Sequence, residues 1–166
     1  MKDQQTAIIE RPISGQIAVF TPFVEGGSRK FLKELIGSRS RLDWDKERKR
    51  WLMSRQHMAK VIDGCLRRWS RVELRRQYLE TQRCDVRCQQ AKGDDCECSC
   101  MGLMHGSRAV GGGWLSGFRR VGETTLVTRG AERWVVLLLE LANDNTATQQ
   151  RPAHYPPRHS GRRPRP

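Results

Sequence analysis

Residues 41–53 read Arg41-Leu42-Asp43-Trp44-Asp45-Lys46-Glu47-Arg48-Lys49-Arg50-Trp51-Leu52-Met53. A charged bend over 46–50 separates two short runs, and a tryptophan stands on each side of it. That pattern predicts a β-hairpin. Downstream, Gln56 to Trp69 places Met58, Val61, Ile62, Cys65, Leu66 and Trp69 at helical spacing, which predicts an amphipathic helix. Upstream, Gln16 to Phe23 has strand composition and stops at Gly26-Gly27-Ser28. Ser28 is the expected N-cap of a short helix whose Phe31–Leu35 and Leu32–Ile36 pairs share one side.

The order strand, helix, hairpin, helix makes residues 15–83 an α+β unit, a small sheet with two helices. Val72, Leu74 and Tyr78 share a strand phase, although a continued helix fits nearly as well. Around this unit the sequence predicts a flexible N-terminus over 1–14 and a Cys-rich metal-binding segment over 84–106. A C-terminal β-hairpin extension follows over 107–142, and 143–166 is a disordered basic tail. The extension carries a hinge at Gly111-Gly112-Gly113. Its β-prone runs, Thr124 to Thr128 and Arg133 to Leu141, flank Arg129-Gly130-Ala131. The tail is rich in proline and arginine and lacks the apolar residues of a packed core.

Across 166 residues the chain is 37% hydrophobic and 30% charged, with a formal charge of +13. The expected core is small, and a bound metal would add stability that burial does not. So basic a surface attracts polyanions, nucleic acid first among them. No apolar run reaches the ~20 residues of a membrane-spanning helix. Met1 to Arg11 lacks the pattern of a secretory signal, so the expected location is cytoplasmic. In that compartment clustered cysteines are read as metal ligands rather than disulfides.

The cluster is Cys84-x3-Cys88-x7-Cys96-x-Cys98-x-Cys100-x4-His105. Thiolate and imidazole are the donors zinc prefers, four to a tetrahedral site. Cys84 and Cys88 face the same way on a helical turn, and Cys96, Cys98 and Cys100 share one face of an extended segment. Cys84, Cys88, Cys96 or Cys98, and Cys100 form the leading ligand set, with His105 as competitor or hydrogen-bonding helper. An iron–sulfur cluster is the alternative cofactor. Cys65 falls on the apolar helix face and reads as a core residue. The string Cys84-Asp85-Val86-Arg87-Cys88, Ala91-Lys92-Gly93, Cys96-Glu97-Cys98-Ser99-Cys100, Gly102 and His105-Gly106 resembles a cysteine-rich signature of uncharacterised actinobacterial and phage proteins. The resemblance covers about 25 residues and implies a shared metal site without an assigned activity.

The hairpin has a second likeness. Arg41, Trp44, Asp45, Lys49 and Trp51 resemble the hairpin motif of the HARP-type domain of annealing helicases, within a similar strand–helix–hairpin–helix frame over about residues 15–69. Here the additional Asp43 precedes the aromatic residue. That family's domain implies binding to branched or single-stranded DNA. Independently of the resemblance, Lys46, Arg48, Lys49 and Arg50 offer cations to phosphates, and Trp44 and Trp51 could stack on bases. The competing reading packs both tryptophans against the helices. Arg67, Arg68, Arg71, Arg75 and Arg76 extend the basic stretch, as nucleic-acid contacts or as a solvated face.

No catalytic residue set emerges. Gly111-Gly112-Gly113 lacks the lysine and hydroxyl residue of a phosphate loop, and His57 reads as solvent-facing. The leading expectation is a metal-stabilised protein that binds DNA or RNA. The alternatives are an adaptor that docks a protein partner or self-associates through the C-terminal hairpin, and an enzyme of the nuclease or thiol-redox kind. Val135-Val136-Leu137-Leu138-Leu139 is long for one buried face and points to a covered strand or a partner.

Overall fold

The computed structural model describes residues 6–79 and 117–142. The Cys84–His105 cluster, the glycine hinge and the 143–166 tail lie outside the described residues. The elements are β1 (Ala7–Arg11), β2 (Ile17–Phe20), α1 (Ser28–Ile36), β3 (Asp43–Asp45), β4 (Arg50–Met53), α2 (Met58–Trp69), β5 (Val72–Tyr78), β6 (Phe118–Arg129) and β7 (Glu132–Leu141). A single 3-10 turn, Arg55–His57, leads into α2. The seven strands form one sheet in the order β3-β4-β2-β1-β5-β7-β6. The fold is mixed α+β, and no helix among the described residues is long and apolar enough to cross a membrane.

Strand alternation sorts the side chains onto two faces. Ile9, Val19, Leu74 and Leu137 occupy successive register positions on one face, all buried. The helices cover that face. Leu32 and Ile36 of α1, and Met58, Val61, Ile62, Cys65 and Leu66 of α2, join the same core. Each aliphatic side chain fully buried there contributes about 1.5–3 kcal/mol. These are the periodic positions read from the sequence, so both helices form where their apolar stripes can be buried.

β1 departs from expectation. Ala7–Arg11 is an interior strand rather than a flexible end, pairing antiparallel with β2 and parallel with β5. Its buried–half-buried alternation (Ala7, Ile9 and Arg11 inward) is hidden in composition because an arginine takes the last core position. The C-terminal hairpin is likewise no separate extension. β7 pairs with β5 over seven residues, from Val72 opposite Leu139 to Tyr78 opposite Arg133, and so widens the same sheet. This explains the long apolar run: Val135, Leu137 and Leu139 enter the core, while Val136 and Leu138 are half-buried on the other face.

Ser28 begins α1 but does not cap it. Gly27, at φ 90°, holds the N-cap position without a side-chain bond, and the Ser28 hydroxyl instead accepts from Thr21 Oγ1 at 2.6 Å. At the far end of α2, Ser70 takes the left-handed conformation (φ 67°) and donates its N–H to Leu66 at 2.9 Å.

Candidate nucleic-acid interface

The predicted hairpin is present, with Trp44 opposite Trp51 and Asp45 opposite Arg50. Asp45 Oδ1 shapes the turn by accepting from the Glu47 and Arg48 N–H groups at 3.0 and 3.1 Å. Lys49 closes the turn at φ 51°.

The predicted contact residues do not share one surface. Met53 is buried in the core, so Trp51, two residues away, points to the helix-covered face, and Trp44 with it. Their rings meet at 4.8 Å. Trp51 packs against the core, and Trp44, 46% exposed, lies against Trp51 at the sheet border. The packing reading therefore finds support at Trp51, which joins the core, whereas Trp44 is an exposed residue resting on Trp51. Arg50 and Leu52 point the opposite way, onto the face that carries neither helix. Arg41 is bound at the hairpin base to Asp43, 2.7 Å away. Lys46 sits in the exposed turn.

The basic stretch after α2 also divides. Arg67 forms a two-bond pair with Asp63 at 2.8 and 3.2 Å. Arg68 lies over the Phe31 and Trp69 rings, 5.7 and 5.8 Å from their centres. Arg71 binds Glu140 at 2.7 Å. Arg76, expected on the surface, is a buried register partner of Arg11 on the core face, and neither is without a partner. Arg75 alone of the five enters the site described next.

On the helix-free face the sheet forms a groove of about 960 Å³. Arg48, Arg50, Arg75 and Arg129 line it, with Glu10 and Glu132 as its two acids. Arg50 lies over the Phe20 ring at 4.8 Å and Arg129 over the Trp134 ring at 5.3 Å. Trp134 is held by its indole N–H donating to Glu132 at 2.9 Å. Arg75 contacts Glu73 at 2.5 Å and Glu10 at 3.0 Å. Burial pulls its pKa down, but the bonds to Glu73 and Glu10 outweigh that and raise it, so it is a fixed cation. One end of the groove is the β1–β2 loop. Gln77 accepts the Ile13 N–H at 3.1 Å, and Arg55 donates to the Ile13 and Gly15 carbonyls at 2.8 and 3.2 Å.

The result is a half-enclosed trough in which the Arg50 and Arg129 guanidinium groups are steadied by rings beneath them. Such groups can pair with phosphate and stack on bases. Sequence reading found Arg48 and Arg50 but missed Phe20, Arg129 and Trp134. Read as a strand, Val72 and Leu74 imply that Glu73, Arg75 and Gln77 share the second face, as the structure has them. What could not be read was that β7 and β6 would sit beside them.

Among the described residues no group of histidine, cysteine, aspartate and glutamate is arranged to hold a metal ion. Cys65 is a core residue as expected, its thiol pushed up to about 12 by burial. His57 is half-buried rather than solvent-facing, and burial, then the neighbouring Lys60, lowers its pKa. Comparison with protein families, curated proteins and solved structures found no match to this chain.

Proposed function

We propose that this protein binds nucleic acid, DNA or RNA, in the helix-free groove of its sheet. The observation that carries this reading is the row of four arginines in that groove, two of them laid over aromatic rings. The formal charge of +13 supports it by drawing polyanions to the surface. Phosphates would pair with Arg48 and Arg75, and bases would lie against Arg50 and Arg129. Lys46 and Lys49 in the hairpin turn extend the path for the backbone.

The test is binding of single-stranded DNA and RNA oligonucleotides by fluorescence anisotropy across a salt series. Affinity is expected to fall steeply with salt, with a log–log slope of about 0.7 per phosphate neutralised. An Arg48→Ala/Arg50→Ala/Arg129→Ala chain should flatten that slope. Absent binding, or binding indifferent to salt, would refute the reading.

Zinc bound by Cys84, Cys88, Cys96, Cys98, Cys100 and His105, or by four of them, is part of this proposal and rests on the chemistry of that donor set. Elemental analysis of untagged protein with its visible spectrum tests it. Zinc without colour is expected, and a brown protein would indicate an iron–sulfur cluster instead.

A further inference from the structure

Arg11 and Arg76 stand side by side in the core. They are register partners across the parallel β1–β5 pair, on the helix-covered face, at 0% and 2% exposure. A guanidinium buried so deeply keeps its charge and requires acceptors, best of all a carboxylate. Neither of the two is without a partner. Among the described residues the surrounding strands bring no carboxylate to this face. β2 has no acid, and the acids of β1, β5 and β7 (Glu10, Glu73, Glu132 and Glu140) all fall in the opposite phase, on the helix-free face. On the helices, Asp63 is bound to Arg67 and Glu34 is exposed.

The chain leaves the sheet beside this pair. Tyr78, two positions past Arg76, ends β5, and Glu80, Asp85, Asp94, Asp95 and Glu97 follow it. The other ends of the chain outside the described residues, 1–5 and 143–166, carry one acid each, Asp3 and Asp144. Topology directs the chain from Tyr78 onto the same face. β4, β5 and β6 run parallel to one another and lie in that order across the sheet. The step from β4 to β5 carries α2 over the helix-covered face. The step from β5 to β6 continues in the same direction, past β7. Crossovers between parallel strands are almost always of one hand, and two steps of one hand in one direction cross the same face.

We propose that residues 80–97 dock on the helix-covered face at this end of the sheet, with their carboxylates paired to Arg11 and Arg76. Cys84, Cys88 and Cys96 are interleaved with those acids in the sequence, so the same contact ties that donor set to the core. The docking surface lies on the face opposite the arginine groove and does not depend on what the groove binds.

Hydrogen–deuterium exchange read by mass spectrometry on the full chain, without added ligand, tests this. Peptides from 80–97 are expected to be protected. Arg11→Met/Arg76→Met removes both cations and leaves every cysteine in place, so its effect is separate from that of any metal held there. It should speed exchange over 80–97 about tenfold or more while far-UV circular dichroism reports a folded sheet. Should that chain fail to fold, Glu80→Gln/Asp85→Asn/Asp94→Asn/Asp95→Asn/Glu97→Gln removes the carboxylates instead. It should lose the same protection and also lower the urea midpoint, because two buried arginines are deprived of their counter-charges. A parent chain whose 80–97 peptides exchange as fast as an unstructured peptide overturns the proposal. So does protection that a folded variant leaves unchanged. Protection that appears only on adding nucleic acid, or only at high protein concentration, would assign the two arginines to a phosphate or to a second copy and overturns it as well.

Discussion

Glu10 and Arg75 face one another across the parallel β1–β5 pair, with Arg75 Nη1 3.0 Å from Glu10 Oε1. The same oxygen lies 3.3 Å from Arg129 Nη1 on β6. One carboxylate thus restrains two of the four arginines that line the helix-free groove. It fixes their position and also offsets their charge.

Glu10→Gln should therefore strengthen nucleic-acid binding. The groove loses one of its two acids, and an amide oxygen still accepts hydrogen bonds from the arginines. A gain of roughly threefold to tenfold is expected at low salt, shrinking as salt screens the change. Anisotropy titrations at low and high salt measure it. A loss of affinity would mean that the carboxylate's positioning role exceeds its repulsion of phosphate.

Two aromatic substitutions separate the groove from the hairpin tryptophans. Phe20 supports Arg50 on the helix-free face, whereas Trp44 sits on the other face against Trp51. Phe20→Leu should cost about 1 kcal/mol of binding, near fivefold, by releasing the guanidinium. Trp44→Leu should leave affinity within about twofold, as expected of a residue outside the contact surface. The reverse outcome would move recognition to the tryptophan pair.

Gly64 lets the two helices meet. A methyl group there would fall on Leu35, 2.5 Å from Cδ1 and 3.0 Å from Cγ. Gly64→Ala gains about 1 kcal/mol of helix propensity but incurs about 1–3 kcal/mol of overpacking. The net expectation is a lower urea midpoint. Adding Leu35→Ala removes the clash, so the double variant should be more stable than the sum of the single changes. Additive effects would show that Leu35 simply rotates aside.

Glu140 is bound by Arg71 at 2.7 Å and Arg119 at 2.6 Å, tying the start of β5 and the start of β6 to the end of β7. Hydrogen bonds from Arg71, then Arg119, hold its pKa below the ordinary carboxylate value despite partial burial. A depressed pKa contributes stability that is fully present above the unfolded-state value. That contribution fades as pH falls through the carboxylate range and is gone below the folded value. Glu140→Gln should lower stability at neutral pH by about 1 kcal/mol or less and flatten the acid limb of the pH–stability curve. Thermal melts between neutral and acid pH, compared with the parent chain, check the sign.

Local elements were legible wherever apolar spacing repeats. Met58 to Trp69 is a helix because its stripe has helical period, whereas at Val72 to Tyr78 the sequence allowed a strand or a continued helix and the sheet made it a strand. The Trp44–Trp51 hairpin was legible from the charged bend between two short runs. Which strands adjoin was not legible. β5 meets β1 and β7 from far along the chain, and such pairings follow from burying a whole face at once rather than from any local pattern. Only that assembly decided that Arg76 is buried while Arg75 lines the groove, and that Arg129 lies near Arg75 across a shared carboxylate. Adjacent residues of a strand point to opposite faces. A run of cations in sequence therefore becomes a site only when the sheet brings residues of one phase together from several strands.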